Sequence, residues 1–183
     1  MTAAQRNAIS GPVAGLMLWC SNCGINGEIQ VYNGAFWTNI IGGAASLAIG
    51  DNYQGGIIAC ILQPGDPGYI AGQTHGLIAA PSDQGRDEWG CYGTPIPGAD
   101  GTALGTGNQN TIDIMAGCAV PGIAAWLCGD LVLNGYSDWY LPSKDELNKL
   151  YINRVAVGGF ASDLYYSSSE SDDYNVWLQN FLD

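Results

Sequence analysis

His75 is the only histidine in the chain, so a Ser-His-Asp or Cys-His mechanism would have to pass through it. It sits beside Gly76 in a strand-like stretch, THGLIAAPS, with no nucleophile pattern near it, and reads as a structural residue. Cys20 and Cys23 form a Cys-x-x-Cys pair followed by Gly24. A zinc site needs a second Cys or His pair at matching spacing, and a redox pair needs a helix after the first cysteine. The surrounding residues supply neither context, which leaves a local disulfide or two reduced turn cysteines.

The run Gly101-Thr102-Ala103-Leu104-Gly105-Thr106-Gly107 is glycine-rich, but no lysine follows and no buried strand precedes it, so it reads as loop rather than as a phosphate cradle. Asp172-Asp173 and Asp87-Glu88 are adjacent carboxylates. General acid and base work needs carboxylates facing across a cleft, which sequence neighbours rarely do. Solvated surface is the default reading, and no cofactor is expected; weakly held calcium is the minority option, without a motif behind it. Trp139, Tyr140, Tyr151, Tyr165, Tyr166 and Trp177 gather in the C-terminal third. Packing claims most of them, and a Tyr or Trp on a loop suits a binding surface.

These groups belong to a chain of 183 residues with 12% charged residues, about half of the usual ~25%, and 27 glycines. Such a chain should bury one real core and carry much turn and loop. With a formal net charge of −12 and five Lys and Arg in all, it has no basic stripe for phosphates, which disfavours nucleic acid as a partner. No apolar run approaches the ~20 residues of a spanning helix, so membrane insertion is not expected. The N-terminal MTAAQRNAIS has no signal-peptide core. Six cysteines with uneven spacing do not read as a disulfide scaffold.

Residues 12–40 alternate short apolar runs with turn residues and predict a β-hairpin with a second turn at Asn33-Gly34. Gly42-Gly43-Ala44-Ala45 reads as a joint. A second strand pair follows in GGIIACIL and THGLIAAPS, with QPGDPGY between them. Residues 81–110 predict a long structured loop. Short helices are expected at Thr111 to Cys118 and in GIAAWLCGDLVL, closing at Asn134-Gly135. Ser143-Lys144-Asp145-Glu146 is a capping box, and Leu147, Leu150, Tyr151 and Val155 then recur on one helical face, predicting a helix over about 144–154 stopped by Gly158-Gly159. The sum is an α+β fold, with helices on one side of an antiparallel sheet and a mostly irregular C-terminal third. Within that third, Tyr165 to Glu170 reads as fixed scaffold, whereas Ser171 to Gln179 has neither helix nor strand period.

The passages GYSDWYLPSKDEL (135–147), Gly158-Gly159-Phe160, Tyr165 to Glu170 and Trp177-x-x-x-Phe181, with Ile49-Gly50-Asp51-x-Tyr53-x-Gly55-Gly56 upstream, resemble the C-type-lectin-fold family that includes the C-terminal domains of bacterial collagen-like adhesins. The resemblance is strongest to the variable proteins of diversity-generating retroelements and covers roughly residues 45–183. It implies a C-type lectin fold of antiparallel sheets, two helices and long irregular loops. The expected organisation is an N-terminal segment with a small β-hairpin module at 1–42 and a ligand-binding domain at 43–183. Set against the resemblance, the further loop and closing strand that family members carry are expected to be missing from that domain, through a truncated chain or an unusual edge. The N-terminal segment also resembles small β modules that precede such domains in phage and surface proteins.

In that family, error-prone copying at template adenines rewrites chosen codons, and AAY codons randomised in this way yield Asp, Tyr, Asn, Val, Leu or Ser without a stop. The resemblance therefore implies a variable ligand-binding set of Asp172, Asp173, Tyr174, Asn175, Val176, Leu178, Asn180 and Leu182. The scaffold it implies is Trp139, Ser167, Ser168, Ser169, Glu170, Trp177 and Phe181, with Trp177 and Phe181 buried. The implied role is recognition of a protein or surface ligand from a virion or cell surface, without catalysis and with self-association as an open option. Calcium-dependent sugar binding is not implied, since the Glu-Pro-Asn and Trp-Asn-Asp triplets are absent. The alternatives are a non-variable adhesin or tail-fibre module and, further off, an enzyme of the formylglycine-generating type. Those enzymes use paired cysteines near the C-terminus, and the last cysteine here is Cys128.

Overall fold

A computed structural model describes residues 1–23, 27–39 and 47–182. In chain order the elements are α1 (Ala3–Asn7), β1 (Met17–Cys20), β2 (Glu28–Tyr32), β3 (Trp37–Asn39), β4 (Asn52–Tyr53), β5 (Gly56–Ile61) and β6 (Gly76–Ala79). They continue with α2 (Gly107–Gly117), α3 (Ala124–Gly129), α4 (Lys144–Ile152), α5 (Arg154–Val157), β7 (Leu164–Asp172) and β8 (Asn175–Asn180). The fold is mixed α+β. Among the described residues the strands form three small antiparallel sheets, ordered β1-β2-β3, β4-β5-β6 and β7-β8, rather than one sheet with helices along a single side.

The N-terminal sheet turns at Asn33-Gly34 as expected. Gly34 takes φ +102°, and the Asn33 side-chain carbonyl accepts from the amides of Ala35 and Phe36, both at 2.9 Å. Strand β1 falls within the first apolar run, GLMLWC, and pairs with β2 as the reading of two turns expects. Helix α1 was not foreseen; Thr2 and Gln5 close a capping box on it. Its Arg6 is buried and donates to Gln30 on β2 and to Asp51 just before β4, joining the N-terminal sheet to the rest of the chain. The expected joint at Gly42 to Ala45, and with it the boundary at 42/43, lies outside the described residues.

Helix α2 starts at Gly107, four residues before the expected Thr111, and α3 is a six-residue piece of the longer run predicted. The Asn134-Gly135 turn is present with both φ angles positive, +52° and +86°. The capping box of α4 also forms. Ser143 Oγ accepts from the Glu146 amide at 3.4 Å, and the Glu146 carboxylate accepts from the Ser143 amide at 2.7 Å. The helix ends at Ile152, however, and α5 restarts at Arg154. The break rotates Val155 off the apolar face to 89% exposure, whereas Leu147 is buried. Gly158, at φ +70°, ends α5.

Among the described residues apolar burial divides into three clusters instead of one core. Ile96, Ile114 and Ile123 centre one beneath α2 and α3. Cys20, Cys23, Ala3 and Ala48 make a second, and Ala59, Ala79 and Val157 a third. Helix α4 packs against β5, β7 and β8, so the second and third sheets share one support.

Candidate functional site: the C-terminal hairpin

The C-terminal passage is a hairpin rather than an irregular segment. β7 and β8 pair from Leu164↔Asn180 through Tyr166↔Leu178 and Glu170↔Val176 to Asp172↔Asn175. Two register irregularities, between Tyr166 and Glu170 and between Glu170 and Asp172, erase the two-residue period that would have announced a strand. At the tip, the Asp172 carboxylate accepts from the Tyr174 amide at 2.9 Å and from the Asn175 side-chain amide at 2.8 Å. These bonds, the Tyr174 amide foremost, hold the Asp172 carboxyl below the usual carboxylate range.

Ser167, Ser168 and Ser169 are buried consecutively, and each hydroxyl is engaged. Ser167 Oγ donates to the Trp177 carbonyl at 2.8 Å across the hairpin. Ser168 Oγ accepts from Asn110 of α2 at 3.2 Å. Ser169 Oγ donates to the Gly101 carbonyl at 2.7 Å and accepts from the Lys144 amide, at the start of α4, at 2.9 Å. The backbone adds Ser168 N–H to the Pro142 carbonyl and Glu170 N–H to the Ala99 carbonyl, both at 2.7 Å. The hydroxyls of Ser168 and Ser169 thus fasten β7 to α2, to α4 and to the loop between residues 96 and 106, while that of Ser167 ties β7 to β8. Larger side chains at these positions would push the elements apart, and alanine at 167 or 169 would take hydrogen-bond partners from backbone groups.

Glu170 extends this scaffold. Its carboxylate accepts from the Ile96 amide at 3.0 and 3.2 Å. Burial raises its pKa, the Ile96 amide opposes the rise, and Asp173, Asp100 and Asp172 add to it. Trp139 is half-buried and lies over Gly56, where a Cβ would stand 2.9 Å from its ring. Phe181 is buried among Tyr151, Phe160 and Tyr165, with ring centroids 4.5–5.3 Å away.

Trp177 departs from the expected burial. It is 42% exposed, with the Lys144 ammonium 4.0 Å above its ring. Among the described residues the ribbon has two strands, which makes β8 an outer strand, and this indole covers the first turn of α4 instead of entering a core. Of the variable set, Asp172, Tyr174, Asn175, Leu178, Asn180 and Leu182 are exposed, while Asp173 and Val176 are half-buried.

The tip has a brace that sequence reasoning missed. The Gly93 amide donates to the Asp173 carbonyl at 2.8 Å, and the Tyr92 and Tyr174 rings meet edge-on at 5.3 Å. Tyr92 is 82% exposed. Its loop is anchored by a disulfide between Cys91 and Cys118, 27 residues apart, and Cys118 is fully buried. Six cysteines allow too many pairings for spacing alone to reveal this one, and Cys60 and Cys128 stay unpaired. The Cys20–Cys23 pair is a local disulfide, one of the two readings of its spacing.

The remaining chemical candidates stand apart from the hairpin. His75 is exposed and hydrogen-bonded to Gln73 at 2.9 Å. Burial raises the Cys60 thiol pKa and pushes that of Cys128 up to about 11, the opposite of nucleophile activation. Among the described residues no group of three or more His, Cys, Asp or Glu is arranged to hold a metal ion. No helix among them is long and apolar enough to cross a membrane. Comparison with protein-family models, curated proteins and solved structures finds no match to this chain.

Proposed function

We propose that this protein is a ligand-recognition protein of the C-type-lectin type, whose β7–β8 hairpin and tip carry a recognition surface diversified by a retroelement. The observation that carries the reading is the division of labour within one hairpin. Ser167, Ser168, Ser169 and Phe181 are buried and bonded into the body, whereas Asp172, Tyr174, Asn175, Leu178, Asn180 and Leu182 meet solvent. Exposed positions on a rigidly anchored support can change identity without loss of the fold, which recognition by variable side chains requires. The exposed set also falls within the residues that adenine-directed rewriting of AAY codons produces.

Tyr174 is the natural anchor of such a surface, since a rigid aromatic adds contact area at low entropic cost. The partner is a protein or another surface ligand met at a virion or cell surface. The genomic DNA provides the test. The reading expects a second, near-identical copy of the codons for residues 160–183 beside a reverse-transcriptase gene, differing where the template has adenine. A locus with neither feature would remove the retroelement from the proposal and leave a fixed adhesin or tail-fibre module.

A further inference from the structure

A cavity of ≈ 830 Å³ lies beside the hairpin and is lined by none of the tip residues Asp172 to Asn175. Its volume falls in the range typical of ligand sites, ~300–1,000 Å³. One wall is β6, Gly76 to Ala79, and the other is the start of β7, Leu164 to Tyr166, with Leu178. Leu147 and Leu150 of α4, the helix that supports both sheets, also line it.

Two features define what fits. β6 is the outer strand of the β4-β5-β6 sheet, so its edge away from β5 has no strand partner among the described residues. Such an edge is a template for an added strand. Five carboxylates among the described residues line the cavity: Glu146 is buried and taken up by the Ser143 and Gly105 amides, and Asp83, Asp87, Asp138 and Asp163 are left against a single lining cation, Arg86, which is already paired with Asp163. An apolar small molecule would fill the trough but leave both the strand edge and the acidic rim unanswered. An extended peptide meets all three demands. Its backbone pairs with β6, alternate apolar side chains enter the trough, and Lys or Arg on the intervening positions reach the rim.

We propose that this trough binds an extended peptide segment of a partner protein, apolar on one face and basic on the other, as an added strand on β6. At ~3.3 Å per residue, a four-residue edge is about 13 Å long and matches a partner strand of roughly 4–6 residues. The site is separate from the tip, and of the variable set Leu178 alone lines it.

The test uses the full chain and a library of acetylated hexapeptides alternating Val, Ile, Leu or Phe with Lys or Arg. The expected result is saturable binding that slows amide exchange in the β6 strand. Asp87→Lys with Asp138→Lys should weaken binding about tenfold at low salt. Ala80→Trp, which fills the trough, should abolish it, and Tyr174→Ala should leave it unchanged. Failure of the whole library to bind overturns the proposal. So does equal binding by peptides with N-methylated backbones, or binding that leaves β6 amide exchange unaltered.

Discussion

Glu146 is where the support of the hairpin is most open to attack. The residue is 1% exposed, with one carboxylate oxygen accepting from the Ser143 amide at 2.7 Å and the other from the Gly105 amide at 2.8 Å and the Tyr140 hydroxyl at 3.3 Å. Glu146→Gln keeps the shape but replaces one acceptor oxygen with an NH₂ group, so one buried backbone N–H faces a donor. An unsatisfied buried amide costs about 1–3 kcal/mol, and losing the ionic assistance of the remaining bonds adds about 1 kcal/mol. The sum is about 2–4 kcal/mol, and relief from burying a charge pulls it toward the lower end. For a chain of this length each kcal/mol moves Tm by ~2–4 °C, giving a fall of about 4–16 °C. Thermal melts followed by circular dichroism measure it. Gly107→Ala should reproduce the effect from the opposite side, because its Cβ would stand 2.2 Å from Glu146 Oε2. Ser169 accepts from the Lys144 amide beside this node, so amide shifts in Ser167 to Ser169 should accompany both changes. An unchanged Tm in both variants would refute the assignment of Glu146 as the joint between α4 and the loop before α2.

Cys91→Ser with Cys118→Ser should cost about 3–4 kcal/mol by loop entropy in denaturant titrations, and the Tyr174 ring resonances should shift as the Tyr92 loop loosens. Phe181→Ala should cost about 3–5 kcal/mol, while Trp177→Ala should cost about 1–2 kcal/mol because its ring is half open and held by Lys144; comparable losses would contradict the orientation of β8. Burial and the Asp83 carboxylate push the Tyr165 phenol up to about 12, so the folded state binds its proton more tightly than the unfolded chain does. That stability is fully present below the unfolded value near 10 and is lost as pH rises through about 12, so Tyr165→Phe should flatten the alkaline limb of the pH–stability curve.

The features readable in advance were those with local physics. Ser143 and Glu146 announced the start of α4 because a capping box is closed within four residues, and Asn33-Gly34 and Asn134-Gly135 announced turns because few residues accept positive φ. The strand pair at β5 and β6 was legible from its apolar runs. The hairpin β7–β8 was not, because its register irregularities and three buried serines break the alternation that signals a strand. Trp177 was misplaced for a related reason: the resemblance marks it as scaffold, but not whether its strand has a neighbour to bury the indole against. The support for the tip depends on pairs distant in sequence, Cys91 with Cys118 and Gly93 with Asp173, which no local pattern encodes.

The central claim is that the tip and β8 form a changeable surface on a fixed support. Randomising Asp172, Asp173, Tyr174, Asn175, Val176 and Leu178 together, and scoring every member for soluble folding and for capture of immobilised surface proteins, tests it directly. Surface substitutions usually stay within about 0.5 kcal/mol of the parent, so most members should fold, and a minority should gain binding to chosen targets. A matched library at Ser167, Ser168, Ser169 and Phe181 should mostly fail to fold. Failure of most members of the first library, or equal tolerance in the second, would contradict the account.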